Sequence, residues 1–86
     1  MARVHLPVAL QALADGQAMI AADGQTVRQV IANLEGRYPG LQDQLRRGHA
    51  VRPGLMVAVG SQMGANLLTA VGPDEEIHFL PALGGG

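Results

Sequence analysis

The sequence predicts an α+β domain in which one main helix packs on one face of a mixed sheet. Three observations carry that prediction. Val27, Val30, Ile31 and Leu34 recur at the spacing of one helical face. Leu55-Met56-Val57-Ala58-Val59 is an unbroken apolar run bounded by turn residues, as an interior strand requires. Both ends of the chain alternate polar and apolar side chains, in Arg3-Val4-His5-Leu6 and in Glu76-Ile77-His78-Phe79.

Taken in order, Arg3 to Leu6 reads as a strand with Val4 and Leu6 inward, closed by Pro7. Asp15-Gly16 is a turn signal that returns the chain into a second strand over Gln17 to Ala22, so the opening unit is a β-hairpin with a long loop. Asp23-Gly24 ends it. Thr26, with Gln29 three residues on, forms a capping-box pattern, and the main helix is predicted over 26–36 with Gly36 in its C-terminal cap region. Tyr38-Pro39-Gly40 cannot continue a helix. Leu41 and Leu45, four residues apart, predict a second short helix with Gln42, Asp43, Arg46 and Arg47 outward and Gly48 at its end. Pro53-Gly54 restarts the chain before the 55–59 strand. Gly60-Ser61 suits a type II′ hairpin turn, which needs positive φ at its first central residue. A short strand is predicted near Asn66 to Thr69, and Gly72-Pro73-Asp74 breaks the chain before the last strand, where Ile77 and Phe79 face one side and Glu76 and His78 the other.

Composition narrows the function. The 86 residues form a single domain, and 48% hydrophobic content is enough for a compact core. Six basic residues against seven acidic ones give a net charge of -1, with only Arg46 and Arg47 adjacent. With Tyr38 and Phe79 the sole aromatics, neither a basic stripe nor a stacking platform exists for nucleic acid. No apolar stretch is long enough to span a bilayer and no signal-like leader opens the chain, so a cytoplasmic protein without a membrane partner is expected. Cysteine and lysine are both absent. The chain therefore has no persulfide-forming thiol, thiolate ligand or lysine amine, and its chemistry falls to termini, hydroxyls, carboxylates or histidines.

The chain ends Leu83-Gly84-Gly85-Gly86, directly behind the last strand. A terminal glycine presents a carboxylate with no side chain beside it, suited to a slot too narrow for other residues. The reactive group expected is the carboxylate of Gly86.

Several segments, in order along almost the whole chain, resemble the β-grasp, ubiquitin-like sulfur carriers of the MoaD and ThiS type. They are Asp23-Gly24-Gln25-Thr26-Val27, then Tyr38-Pro39-Gly40-Leu41, then Met56-Val57-Ala58-Val59, and the ending Ile77-His78-Phe79-Leu80-Pro81-Ala82-Leu83-Gly84-Gly85-Gly86. Gly85 and Gly86 fall on the family's diglycine and Gly84 replaces a small residue. Gly60-Ser61-Gln62-Met63-Gly64 stands where the family usually has Asn-Gly-x-x-Val and a basic residue, which leaves the identity of the partner open.

The resemblance implies that a ubiquitin-activating-type adenylyltransferase adenylates the Gly86 carboxylate. A persulfide sulfur then displaces AMP, and the resulting thiocarboxylate gives its sulfur to a sulfur-accepting biosynthetic enzyme, in cofactor or amino-acid biosynthesis. This chain has no phosphate-cradling loop, so ATP and the persulfide source belong to partner proteins and no cofactor is bound here. The chain is then a carrier and substrate, not a catalyst. Related readings are the small subunit of molybdopterin synthase, toward which a length with room for a second helix leans, a ubiquitin-like modifier, and a β-grasp binding module that never uses its end.

The expected division is a body over 1–83 and a flexible glycine tail over 84–86. From Pro81 to Gly86 an extended chain reaches roughly 17 Å at ~3.4 Å per residue. Ordering three glycines costs roughly 3–6 kcal/mol at about 1–2 kcal/mol each, so the body must supply a compensating interface. Met56, Ala58, Leu80 and Leu83 are the candidate docking residues, since only one face of the 55–59 strand can meet the helix; Gly84 and Gly85 join them as the threaded stem.

His5 and His78 fall on neighbouring strands with both rings on the polar side, but without a third ligand at fitting spacing no metal is expected. Asp74, Glu75 and Glu76 read as a solvated edge that discourages aggregation or attracts a basic partner. Ser61 and Thr69 have no histidine at motif spacing, so nucleophilic catalysis has no support.

Overall fold

A computed structural model describes residues 1–82. Its strands are β1 (Ala2–His5), β2 (Met19–Ala22), β3 (Arg46–Arg47), β4 (Ala50–Val51), β5 (Leu55–Val59), β6 (Gln62–Ala65) and β7 (Glu76–Pro81); its helices are α1 (Val8–Gln11) and α2 (Val27–Arg37). Five strands form one mixed sheet in the order β2-β1-β7-β5-β6, and β3 with β4 makes a separate two-stranded ribbon. The hairpin, crossover helix and late strands are the β-grasp arrangement expected from the sequence. The centre of the sheet is the parallel pair β1 and β7, with His5 opposite His78 and Arg3 opposite Glu76.

The inward parity of each strand builds the core. Val4, Ile20, Val57, Val59, Ile77 and Phe79 point at α2, which buries Val27, Val30, Ile31 and Leu34 completely. Thr26 is the N-cap: its hydroxyl accepts from the Gln29 N–H at 3.2 Å. The Gln29 side chain accepts from the Gln25 N–H at 2.8 Å, one residue earlier than a strict capping box has it. Backbone donors at the start of α2 that lack an intrahelical partner are satisfied by loop carbonyls, Val27 by Thr69 at 3.1 Å and Arg28 by Leu67 at 2.9 Å. Gly24 lies so close to α2 that a Cβ there would stand 2.6 Å from the Val30 nitrogen. Only glycine fits.

Four expectations change. The long loop of the opening hairpin contains α1 and a 3-10 turn over Ala12–Ala14. Gly36 lies inside α2, which is stopped by Tyr38 ahead of Pro39. There is no second helix at 41–48. A 3-10 turn over Pro39–Leu41 gives way to a reversal with Asp43 at φ 62°, then to β3 and β4 around Gly48 at φ 62°. Leu41 and Leu45 are nevertheless both fully buried. The short strand is Gln62–Ala65, whereas Asn66 to Thr69 form a side-chain-bonded turn in which the Asn66 Oδ1 accepts from Leu68 at 2.8 Å. The Gly60-Ser61 turn is as expected, with Val59 opposite Gln62 and Gly60 at φ 56°.

One buried charge ties the ribbon to the helix. Glu35 on α2, 7% exposed, accepts from the Arg46 guanidinium on β3 at 2.9 Å.

Candidate functional site

Side chains of opposite parity to the core cover the face of the sheet turned away from α2. Cross-strand register lines up one row over all five strands: Met19 beside His5, His5 beside His78, His78 beside Ala58, and Ala58 beside Met63. The methionines at its two ends, Met19 and Met63, are 45% and 60% exposed.

On the side of this row nearer the start of β7 is a polar cluster. The Glu76 carboxylate is bound through both oxygens, Oε1 by His5 Nε2 at 2.5 Å and Oε2 by Arg3 Nη2 at 2.9 Å. The imidazoles of His5 and His78 stack with centroids 4.2 Å apart and planes 6° from parallel. Hydrogen bonding from His5 holds the Glu76 carboxyl below its ordinary range, aided by the charge of Arg3 and only partly opposed by desolvation.

On the other side of the row, toward the end of β7, the face becomes apolar. Met56 pairs with Leu80, both half-buried, and the Ala82 N–H donates to the Gly54 carbonyl at 2.9 Å, fixing the chain at the last described residue. Met56 and Leu80 therefore occupy the face expected of them. Ala58 shares that face but is 4% exposed between His78 and Met63, so it offers little contact of its own. Leu83, Gly84, Gly85 and Gly86 lie outside the described residues.

Two features escaped the sequence reading. An open cleft of about 340 Å³ adjoins Pro81, lined by Leu10, Leu55, Pro53 and Arg52 among others. Arg52, bonded to the Gln44 side chain at 2.6 Å, puts a cation beside the chain's exit despite the absence of lysine. The acidic triplet is also no uniform solvated edge. Asp74 is exposed at φ 61°, and the Glu75 carboxylate accepts from the Gly72 N–H at 3.2 Å to brace the turn. Glu76 joins the histidines. Alternation alone showed that Glu76 shares a face with His78, but only the parallel pairing of β1 to β7 brings both to His5.

Among the described residues no helix is long and apolar enough to cross a membrane.

The sulfur carrier protein CysO of Mycobacterium tuberculosis is 29% identical over 91 residues, covering 96% of each chain. A chain in the crystal structure of the Amycolatopsis orientalis BexX/CysO complex superposes with a TM-score of 0.89 at 25% identity, with both chains fully covered. The small archaeal modifier protein 1 of Methanosarcina acetivorans shares the fold, with a TM-score of 0.78 at 22% identity over 99% of this chain and 95% of that one. The ThiS family model matches residues 4–86, through the glycine ending, and the chain belongs to the ThiS family.

Proposed function

We propose that this chain is a sulfur carrier whose Gly86 carboxylate is the cargo site. The observation that carries the reading is the match of the family model through Gly86 on a chain whose last strand is fixed at the sheet centre up to Ala82. A carboxylate is a poor electrophile until a phosphoryl-derived leaving group is attached. An activating ATPase transfers AMP from ATP to the carboxylate oxygen and releases pyrophosphate. A persulfide sulfur on a partner attacks the acyl carbon and expels AMP; reductive cleavage of the acyl disulfide by a thiol leaves the thiocarboxylate. The body supplies docking and no catalytic group, so the chain acts as a substrate and carrier for partner enzymes. Met56 and Leu80, with Met19 and Met63, are the surface offered to the activating enzyme and then to the sulfur acceptor. That the CysO chain of the Amycolatopsis structure is held in a complex with BexX supports a carrier that works while bound to another protein.

The test is intact-mass analysis after incubation with an activating ATPase, ATP and a persulfide donor. A gain equal to sulfur replacing one oxygen, located on the terminal peptide and lost when Gly86 is deleted, is the expected result. An unchanged terminus with every activating enzyme of the host overturns the reading. Covalent adducts on other proteins that survive reducing denaturation would instead indicate a modifier.

A further inference from the structure

We propose that His5, His78 and Glu76 form a binding site for a divalent transition-metal ion on the open face of the sheet. The ligand atoms of the three residues all lie within 4.8 Å of one another. A tetrahedral zinc ion, with bonds of about 2.0–2.2 Å to nitrogen and oxygen, needs its donors about 3.4 Å apart. The backbone already holds the three in place, because His5 is paired with His78 and Arg3 with Glu76 across two central strands. Closure therefore needs side-chain rotation alone, tilting the stacked imidazoles so that their nitrogens converge.

The donor set is chemically selective. Two imidazoles and one carboxylate suit zinc, copper, nickel or iron, whereas magnesium and calcium favour all-oxygen sites. The carboxylate is also oriented as a metal ligand's usually is. Arg3 grips Oε2 at 2.9 Å and leaves Oε1, the oxygen that now meets His5 Nε2, directed at the histidines. On binding, the ion takes the place of the hydrogen bond between His5 and Glu76. Any proton on the coordinating nitrogens passes to solvent, while Arg3 keeps its hold on the second oxygen.

The ordinary alternative is a surface ion-pair network of Arg3, Glu76 and His5, contributing little to stability. It accounts for the stacking of His78 on His5, but not for a third donor atom within 4.8 Å of the other two. Three protein ligands leave at least one coordination position open toward solvent, midway along the row from Met19 to Met63. A metal here would place positive charge and a vacant ligand position at the centre of the docking face.

Titration calorimetry of zinc chloride into the full chain, in a buffer that does not chelate, tests the proposal. A single saturable site with a micromolar dissociation constant is expected. His78→Ala and Glu76→Gln should each weaken binding roughly tenfold or more, while His49→Ala, on the exposed β3–β4 turn, should leave it unchanged. Because the variants could alter the sheet, imidazole resonances of the unmodified chain provide a second readout, with those of His5 and His78 shifting together and those of His49 unmoved. Absence of saturable binding below millimolar zinc, unchanged affinity in both variants, or shifts centred on His49 would overturn it.

Discussion

The two faces of the sheet are made by the same strands, yet they obey different physical demands. Toward α2, Val4, Ile77 and Phe79 are at most 1% exposed and belong to one apolar cluster with Val27, Val30, Ile31 and Leu34. Toward solvent, the residues between them are Arg3, His5, Glu76, His78 and Leu80, which are polar or half-buried. One face fixes the fold by excluding water, so its side chains are constrained in volume. The other is stable with many side chains and is free to carry recognition and chemistry.

That contrast can be broken experimentally. Phe79→Ala should cost about 3–5 kcal/mol by creating a core cavity, a large share of a small domain's stability, as measured by urea unfolding. Next comes Glu35→Ala, which strands the Arg46 guanidinium beside α2. About 2–3 kcal/mol is expected, below the full cost of a buried pair because the Arg46 side chain is 31% exposed. Thr26→Ala removes the cap hydroxyl and should lose about 1 kcal/mol by the same assay.

Leu80→Asp, adjacent to Phe79 but on the opposite face, should change stability by only about 0.5–1 kcal/mol. It should nonetheless slow thiocarboxylate formation in the mass assay, where Thr26→Ala would not. Equal effects of Leu80→Asp and Thr26→Ala on sulfur loading would erase the functional distinction between the faces.

The smallest effect is on pH dependence. The folded-state pKa of Glu76 is lowered, so its ionised form stabilises the fold above the ordinary carboxylate range. That contribution disappears as pH falls through the lowered value. Glu76→Gln should lose that small contribution near neutrality and so flatten the acid limb of stability against pH slightly, with no change below the lowered value, the carboxylate being solvent-exposed.

How far the sequence disclosed this architecture depends on where its information lies. Val27, Val30, Ile31 and Leu34 have one periodic arrangement that buries all four, and Thr26 marks the start, so α2 was legible within a residue at each end. The segment from Leu41 to Val51 was not. Burial of Leu41 and Leu45 is compatible with a helix or with a turn, and the choice is made by groups distant in sequence. Glu35 draws Arg46 into a ribbon, and the Arg52 N–H closes onto the Leu45 carbonyl at 3.1 Å. Strand β6 was displaced for a similar reason: Gly64, at φ 71°, carries no side chain to show alternation, while Asn66 and Thr69 bond locally into a turn. At the site, the histidine pair could be read from alternation. Its convergence with Glu76 could not, because the parallel register of β1 and β7 leaves no local mark.

That parallel pair has a consequence during synthesis. The carboxylate of Glu76 meets the imidazole of His5 across 71 positions of sequence, so the first strand made has no partner on one side until the last one emerges. Local pieces such as α2 can form early, but closure of the sheet waits for a contact of very high sequence separation, a slow step. A ribosome-bound chain lacking β7 is left with two strand edges and no centre, a form exposed to proteases and chaperones. Completion of the fold thus waits for the last strand, and a chain truncated before β7 would lack a stable body to present to any partner.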